Sequence, residues 1–528
     1  MGLADISEAR DAPRSRNLSF YLVALFLVAP LRAVAPLSWT FVVHSLYTGS
    51  IFSFAWRGRL AFLFAICEAF FSVYHQHLVN LASAPWKHGS GNVAQLQIAF
   101  SRVLKSGLAN LPEDNWEAES LDIDRPGSPA EVIAQLDPHD PRGIDFRNVL
   151  RTWFGRVPWS SIRRVQVSQW IYWSIFNKNL PEPHDMPPSH QAVLDETFQL
   201  LEMRLGTRVA AGSNPAASPM RMTLDKVHVS GRPFFYYAVL FSANWYLRRW
   251  YGNNWNLRHG NYRGLEYLVY VPDNWDPIAG ERPTCFLHGL GVGLLQYYPI
   301  TRDLRLQFPD RPLLIPLQPH ISQNIFHLHF LDPICRQDLA DRLVGLMREL
   351  GWVPNDSDDL SKESVTSIPT SSTVTMLSHS NGSYLHAWCL KQYPQFISRS
   401  CFVDPVTFCS WEGDACFNFL YRSCATGFDL VVSYFVATEV GVANLLRRHF
   451  DWSSNALWFE EIPNARNPSK AFFLLGGKDS IINAERVKKY LTSHGVRKGI
   501  WYDPDGLHGD ALMSGGAGHT KVIQWLRD

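Results

Sequence analysis

Apolar and polar positions divide the chain into stretches of different rhythm. Residues 1–17 are polar and mixed in charge, which predicts a disordered start. From Leu18 to Val43 the chain is apolar almost throughout, broken by Arg32 and carrying Pro36 inside. A second apolar stretch runs from Leu60 to Tyr74 with Glu68 in its middle, behind Trp56-Arg57-Gly58-Arg59, a boundary of the kind found at a membrane surface. A spanning helix needs ~20 apolar residues. The first run reaches that length only if Arg32 lies near an end, snorkels, or faces a partner. A secretory signal would fit Arg10, Arg14 and Arg16 ahead of an apolar core, but Ala33-Val34-Ala35 is followed by Pro36, which hinders cleavage. Buried helices of a soluble domain would show the same pattern. The preferred reading is one or two membrane-anchoring helices within residues 18–82, with their orientation open.

Residues 83–260 read as mainly helical. Ser106 to Asp145 is polar, acidic and rich in proline, as in a surface linker. Phe146 to Phe176 sets Trp153, Phe154, Trp159, Trp170, Tyr172 and Trp173 among Arg151, Arg156, Arg163 and Arg164. That pattern suits either a face against lipid headgroups or helices packed on the main domain. His190 to Arg204 and Phe234 to Tyr251 read as further helices. This half carries no motif with chemistry.

The rhythm changes at Leu265. Short apolar strands are predicted at Leu265–Val271, Arg282–His288, Leu313–Leu317, Val374–Leu377, Ser400–Val403, Ala471–Leu475 and Ile500–Tyr502. Helices are predicted at Cys335–Leu350, Ala484–His494 and Thr520–Arg527. Such alternation predicts a mostly parallel sheet covered on both faces. Asn355 to Thr373 is a polar insertion expected at the surface. A longer insertion, residues 407–469, is rich in aromatic residues and fits a lid over an apolar pocket, or a cap whose rings pack on one another.

Three reactive groups fall at predicted strand ends. Ser378-His379-Ser380-Asn381-Gly382 joins a strand to a helix, with small residues two before and two after Ser380. A tight turn there holds a serine hydroxyl out at the top of a sheet. Asp479 follows the Ala471 strand and His508 follows the Ile500 strand. A hydroxyl is a poor nucleophile until a base takes its proton, and an imidazole base needs an acid to fix its tautomer. Ser380, His508 and Asp479 are the candidates for those three parts. Asp404 also ends a strand and is the alternative acid. The turn His288-Gly289-Leu290-Gly291 follows an early strand; the amides of Leu290 and Asn381 are the candidate oxyanion hole.

Over Leu265 to Asp528 the chain resembles the α/β-hydrolase superfamily. The resemblance rests on His288-Gly-Leu-Gly, Ser378-His-Ser-Asn-Gly382, Gly476-Gly-Lys-Asp479 and Leu507-His508-Gly509, in the superfamily's order. One departure is Ser378, where glycine is usual. The resemblance implies a hydrolase core over residues 261–406 and 470–528, a cap over 407–469, and a catalytic triad of Ser380, Asp479 and His508. The His-x-x-x-x-Asp pattern of acyltransferases is missing, since Met513 stands where aspartate would be. The first half is similar to that of uncharacterised membrane-attached fungal members.

Net charge is +1, which gives no reason to expect a nucleic-acid partner. The eight cysteines form no C-x-x-C pair, so zinc and redox motifs are not expected. Pairing among Cys409, Cys416 and Cys424 stays open. His320, His327 and His329 lack carboxylates at metal-ligand spacing and read as pocket wall or surface. No metal or cofactor is expected. The expected activity is a membrane-associated serine hydrolase acting on carboxylic esters, lipid-like ones first. The alternatives are acyl transfer by the same triad, or a membrane scaffold that keeps the fold without the chemistry.

Overall fold

The computed structural model describes residues 6–9, 11–12, 14–84, 93–106, 133–354 and 372–528. At its centre stands an eight-stranded sheet: β1 Arg258–Tyr262, β2 Leu265–Tyr270, β3 Thr284–Leu287, β4 Leu313–Leu317, β5 Val374–His379, β6 Ile397–Val403, β7 Ala471–Gly476 and β8 Ile500–Asp503. The spatial order is β1-β2-β4-β3-β5-β6-β7-β8. β2 runs antiparallel to β1 and β4, and every other pairing is parallel. Strands β3, β4, β5 and β7 are buried along their whole length. That is why they read as unbroken apolar runs: helices cover both faces of a parallel sheet.

β1 has no counterpart among the strands expected from the sequence. Arg-His-Gly-Asn-Tyr is polar, and as an exposed edge strand it has no face to bury. Its pairing is set by the turn instead. Tyr262 pairs with Leu265 across Arg263 and Gly264, both at positive φ (51° and 91°). Two left-handed residues make a type I′ turn, whose twist matches a hairpin.

Two N-terminal helices are long and apolar enough to cross a membrane, Leu18–Thr48 and Trp56–Ser83. Gly49, at φ 67°, ends the first, and the chain turns back into the second. The interrupting charges have partners. Arg32 donates to Ser230 Oγ (2.9 Å), and its guanidinium lies 5.5 Å from the ring centre of Tyr434 in the 407–469 insertion. Glu68 is buried and accepts from the amides of Phe234 (2.6 Å) and Phe235 (2.9 Å). Those are the first, otherwise orphaned donors of the helix Phe234–Trp255, so one carboxylate caps a helix from a neighbouring one.

The aromatic segment 146–176 packs inward. Trp153, Phe154, Trp170, Tyr172 and Trp173 are all buried. Trp153 Nε1 donates to the carbonyl of Trp411, and Trp452 Nε1 to that of Ser174, which ties this region to the insertion. Trp159 N donates to Ser7 O, which lays that part of the first 17 residues against this region, while Asn17 N donates to Ala425 O in the insertion. Most of the polar stretch 106–145 and of the insertion 355–373 lies outside the described residues.

A buried ionic knot joins three parts of the chain. Arg486, on the helix Ala484–Ser493 behind β7, reaches Asp145 (2.6 Å) in the helical region and Glu412 (2.8 Å) at the root of the insertion. The side chains of both acids are 4% exposed. Removing one side of a buried pair strands the other charge, a loss of about 3–5 kcal/mol. Arg486→Met is expected to lower unfolding free energy by that amount in urea titrations of the detergent-solubilised protein. A change under about 1 kcal/mol would show that water relieves the two acids.

Candidate active site

The site is built at the carboxyl ends of β5, β7 and β8. β5 runs into Ser380, whose φ of 51° is the left-handed conformation that non-glycine residues avoid. Its amide donates to the carbonyl of Val403 (3.1 Å), which anchors the turn to β6. The helix Gly382–Gln392 starts at once. A Cβ on Gly382 would stand 2.2 Å from the carbonyl oxygen of Leu287, so only glycine lets the helix sit this close to β3. The departure at Ser378 fits without strain on the turn. Its Oγ pairs with His386 Nδ1 (2.9 Å), and His386 Nε2 pairs with Ser400 Oγ (3.0 Å). His386 was not singled out in the sequence, since nothing there shows it facing Ser378 across the turn.

Three side chains converge. Ser380 Oγ lies 2.8 Å from His508 Nε2, and His508 Nδ1 lies 2.5 Å from Asp479 Oδ2. Asp479 Oδ1 accepts from the amides of Ile481 (2.7 Å) and Ile482 (3.0 Å), which fixes the carboxylate. Burial disfavours a charged His508. The charge and hydrogen bond of Asp479, with the charge of Asp404, outweigh it and raise the pKa to about 9.

Asp404 comes close without taking the place of Asp479. Its oxygens accept from Gly476 N (2.9 Å) and Gly509 N (2.7 Å). It therefore pins the end of β7 to the residue after His508. Burial raises its pKa; His508 pulls it down, Asp479 pushes it up, and the result is about 6. Asp404, Asp479 and His508 have ligand-type atoms within 4.8 Å of one another, the spacing of a metal site. Both oxygens of Asp404 are engaged by amides, however, and Nδ1 of His508 by Asp479.

The turn after β3 lies against the serine. A Cβ on Gly289 would meet Ser380 Cβ at 2.8 Å. Gly289 N donates to Tyr297 Oη (2.9 Å), Gly291 N to Ile321 O (3.0 Å), and Val292 N to Gln296 Oε1 (3.2 Å). The amides of Leu290 and Asn381 have no acceptor among the described residues, and both residues line the cavity beside Ser380. Tyr297 Oη also pairs with His379 Nδ1 (2.8 Å). His379 is buried, and burial, then the charges of His508 and His288, hold its pKa well below the usual histidine range. His288 is buried too, with Nδ1 near its neighbour's carbonyl. Tyr297 was not foreseen either; its role depends on a fold-back of eight residues. Burial lowers the pKa of His320, and His327 pairs with Glu266 (3.7 Å).

A cavity of about 290 Å³ opens over Ser380 and His508. Its far wall comes from the insertion: Phe419, Leu420, Phe428, Val432, Val436, Leu446 and Phe450. Other rings of the insertion pack on one another, as Trp411 stacks on Trp458 at 4.1 Å. Cys416 also lines the cavity, and all eight cysteines are free.

The order β1-β2-β4-β3-β5-β6-β7-β8 with β2 reversed, and a serine on a left-handed turn after β5, decide the fold. The chain has the α/β-hydrolase fold. The chain is similar to naproxen esterase from Bacillus subtilis, at 14% identity over 55% of this chain and 96% of that one, with a TM-score of 0.35. It is similar to a bacterial membrane phospholipase A, at 12% identity over 56% and 94% of the two chains and a TM-score of 0.35. A carboxylesterase from Bacillus subtilis matches at 10% identity over 55% and 98%, with a TM-score of 0.32. No protein-family model and no curated protein matches the sequence.

The raised His508 pKa sets a testable pH limb. A neutral imidazole is needed to take a proton, so any turnover in which His508 acts as the base should climb with pH through a midpoint above 6.5. In Asp404→Asn one negative charge near the imidazolium is gone, so the midpoint should move to lower pH. Turnover should also fall, by about tenfold, because an amide side chain can accept from only one of the two glycine amides. Profiles of kcat/KM for both proteins check this; an unmoved midpoint would mean that Asp404 carries no charge felt by His508.

Proposed function

We propose that the protein is a membrane-associated serine hydrolase that cleaves carboxylic esters, lipid-like ones in particular, through an acyl-enzyme on Ser380. One observation carries the reading: the continuous hydrogen-bonded chain from Ser380 Oγ through His508 to Asp479, opening onto an apolar cavity. Two unengaged amides at Leu290 and Asn381 support it.

In this mechanism Ser380 Oγ attacks the ester carbonyl carbon, and its proton passes to His508 Nε2. Negative charge on the carbonyl oxygen falls to the amides of Leu290 and Asn381. Collapse of the tetrahedral adduct breaks the bond to the alkoxy oxygen, which leaves as the alcohol with the proton from His508. Water then gives a proton to His508 and attacks the acyl carbon. The second adduct releases the carboxylic acid and restores Ser380. Asp479 holds the imidazole tautomer and balances its charge in both halves. The apolar wall of the insertion favours a long acyl chain over a short one.

Two membrane-length helices support attachment to a bilayer. The sheet topology alone would equally suit a scaffold, but a scaffold has no need of a serine held at φ 51° against an imidazole.

A fluorophosphonate probe should label the wild-type protein in solubilised membranes, and Ser380→Ala should remove the label. Hydrolysis of long-chain esters should fall on the order of 10³-fold or more in the same variant. A folded wild-type protein that takes no label, with its cavity opened by detergent, would overturn the reading.

A further inference from the structure

The cap helices that wall the cavity also pack along the first membrane-length helix. Gly427 N donates to Ser19 Oγ (2.9 Å), and Asn17 N to Ala425 O (2.9 Å). A Cβ on Gly427 would stand 2.7 Å from the Ser19 carbonyl oxygen, so the two helices touch backbone to backbone. Further along, Arg32 lies over Tyr434. From Ser19 to Arg32, at 1.5 Å per residue, the cap follows that helix for about 20 Å. The hydrocarbon layer is about 30 Å thick. A cap that follows a spanning helix over a length of about two thirds of that layer shares its depth.

This stretch is apolar and exposed where the cap leaves it uncovered, with Leu25 at 63% and Phe26 at 72%. The cap itself is suited to that depth. Gly427–Ala437 and Val440–Arg448 together are long and apolar enough for a broken span, with an 80° bend between them. Backbone groups freed at such a bend need partners away from water. Buried Glu439 supplies them, accepting from Gly441 N (2.8 Å), Val442 N (3.0 Å) and Tyr237 Oη (2.9 Å). Two cavity-lining residues, Phe428 and Met513, are also 53% and 57% exposed, so the cavity's mouth is apolar on its outer rim.

We propose that the cap lies in the bilayer beside the first spanning helix, and that the cavity opens sideways into the lipid. The occupant is the acyl chain of a bilayer lipid ester, which reaches Ser380 from within the leaflet without crossing water. This rests on the hydrolase reading of Ser380 and adds the route and the source of the substrate.

The test uses the full chain in nanodiscs of phosphatidylcholine with alkyne-tagged acyl chains. A photoreactive benzoylphenylalanine is placed at Phe428, and at Asp505 as a control, where the side chain is 83% exposed on the β8 loop. After irradiation, lipid adducts at position 428 should exceed those at 505 roughly tenfold, since only a group within the hydrocarbon meets acyl chains continuously. Equal, low adduct formation at the two positions would overturn the proposal and would mean that the cap is a lid facing water. Fluorophosphonate labelling in the same discs separates the two claims. Adducts at 428 without labelling at Ser380 would keep the bilayer position and remove the ester chemistry.

Discussion

The backbone of Ser380 is the constraint on which the rest of the site depends. A left-handed serine is unfavourable in itself and persists only where its surroundings over-determine it. Here they do so from three sides. Val403 holds the amide, the bare Cα of Gly382 lets the next helix press against β3, and the bare Cα of Gly289 lets the neighbouring turn close over Ser380 Cβ. Each contact comes from a different strand end. The parallel sheet that lines up β3, β5 and β6 is therefore what places the hydroxyl, and His508 and Asp479 reach it from β8 and β7 because those strands come next in order.

The sheet-bearing half was legible because its signals are local. Buried parallel strands read as short apolar runs, and Ser380, Asp479 and His508 fall just past their ends. β1 was not legible, since an exposed edge strand has no burial pattern to betray it. Contacts between distant segments were also hidden. Nothing near Tyr297 announces that its hydroxyl bridges Gly289 and His379, and nothing near Ser378 announces His386. Both depend on elements that meet only when the sheet forms. Asp404 was recognisable as an acid at a strand end, but only its two glycine donors show what it holds.

In the first half the pattern of apolar residues was clear while its meaning was not. Arg32 and Glu68 looked like defects in membrane-length helices. Each proves to be a junction: Arg32 to Ser230 and to Tyr434 of the cap, and Glu68 to the start of the helix Phe234–Trp255. The aromatic segment 146–176 shows the reverse. Its rings suited a lipid surface by composition, yet they fill the space between the helical region and the insertion, because Trp153 and Trp452 find carbonyl partners there. Composition cannot separate these cases, since an indole suits a core and an interface equally.

The bridge through Tyr297 has one more consequence. Gly289 N, Tyr297 Oη and His379 Nδ1 form a rigid strut between the turn that carries Leu290 and the turn that carries Ser380. The two turns therefore move as one body, and the Leu290 amide keeps its aim whether the cavity is empty or full. A cavity lined in this way is assembled before any ligand arrives, so little reorganisation of these two turns accompanies its filling.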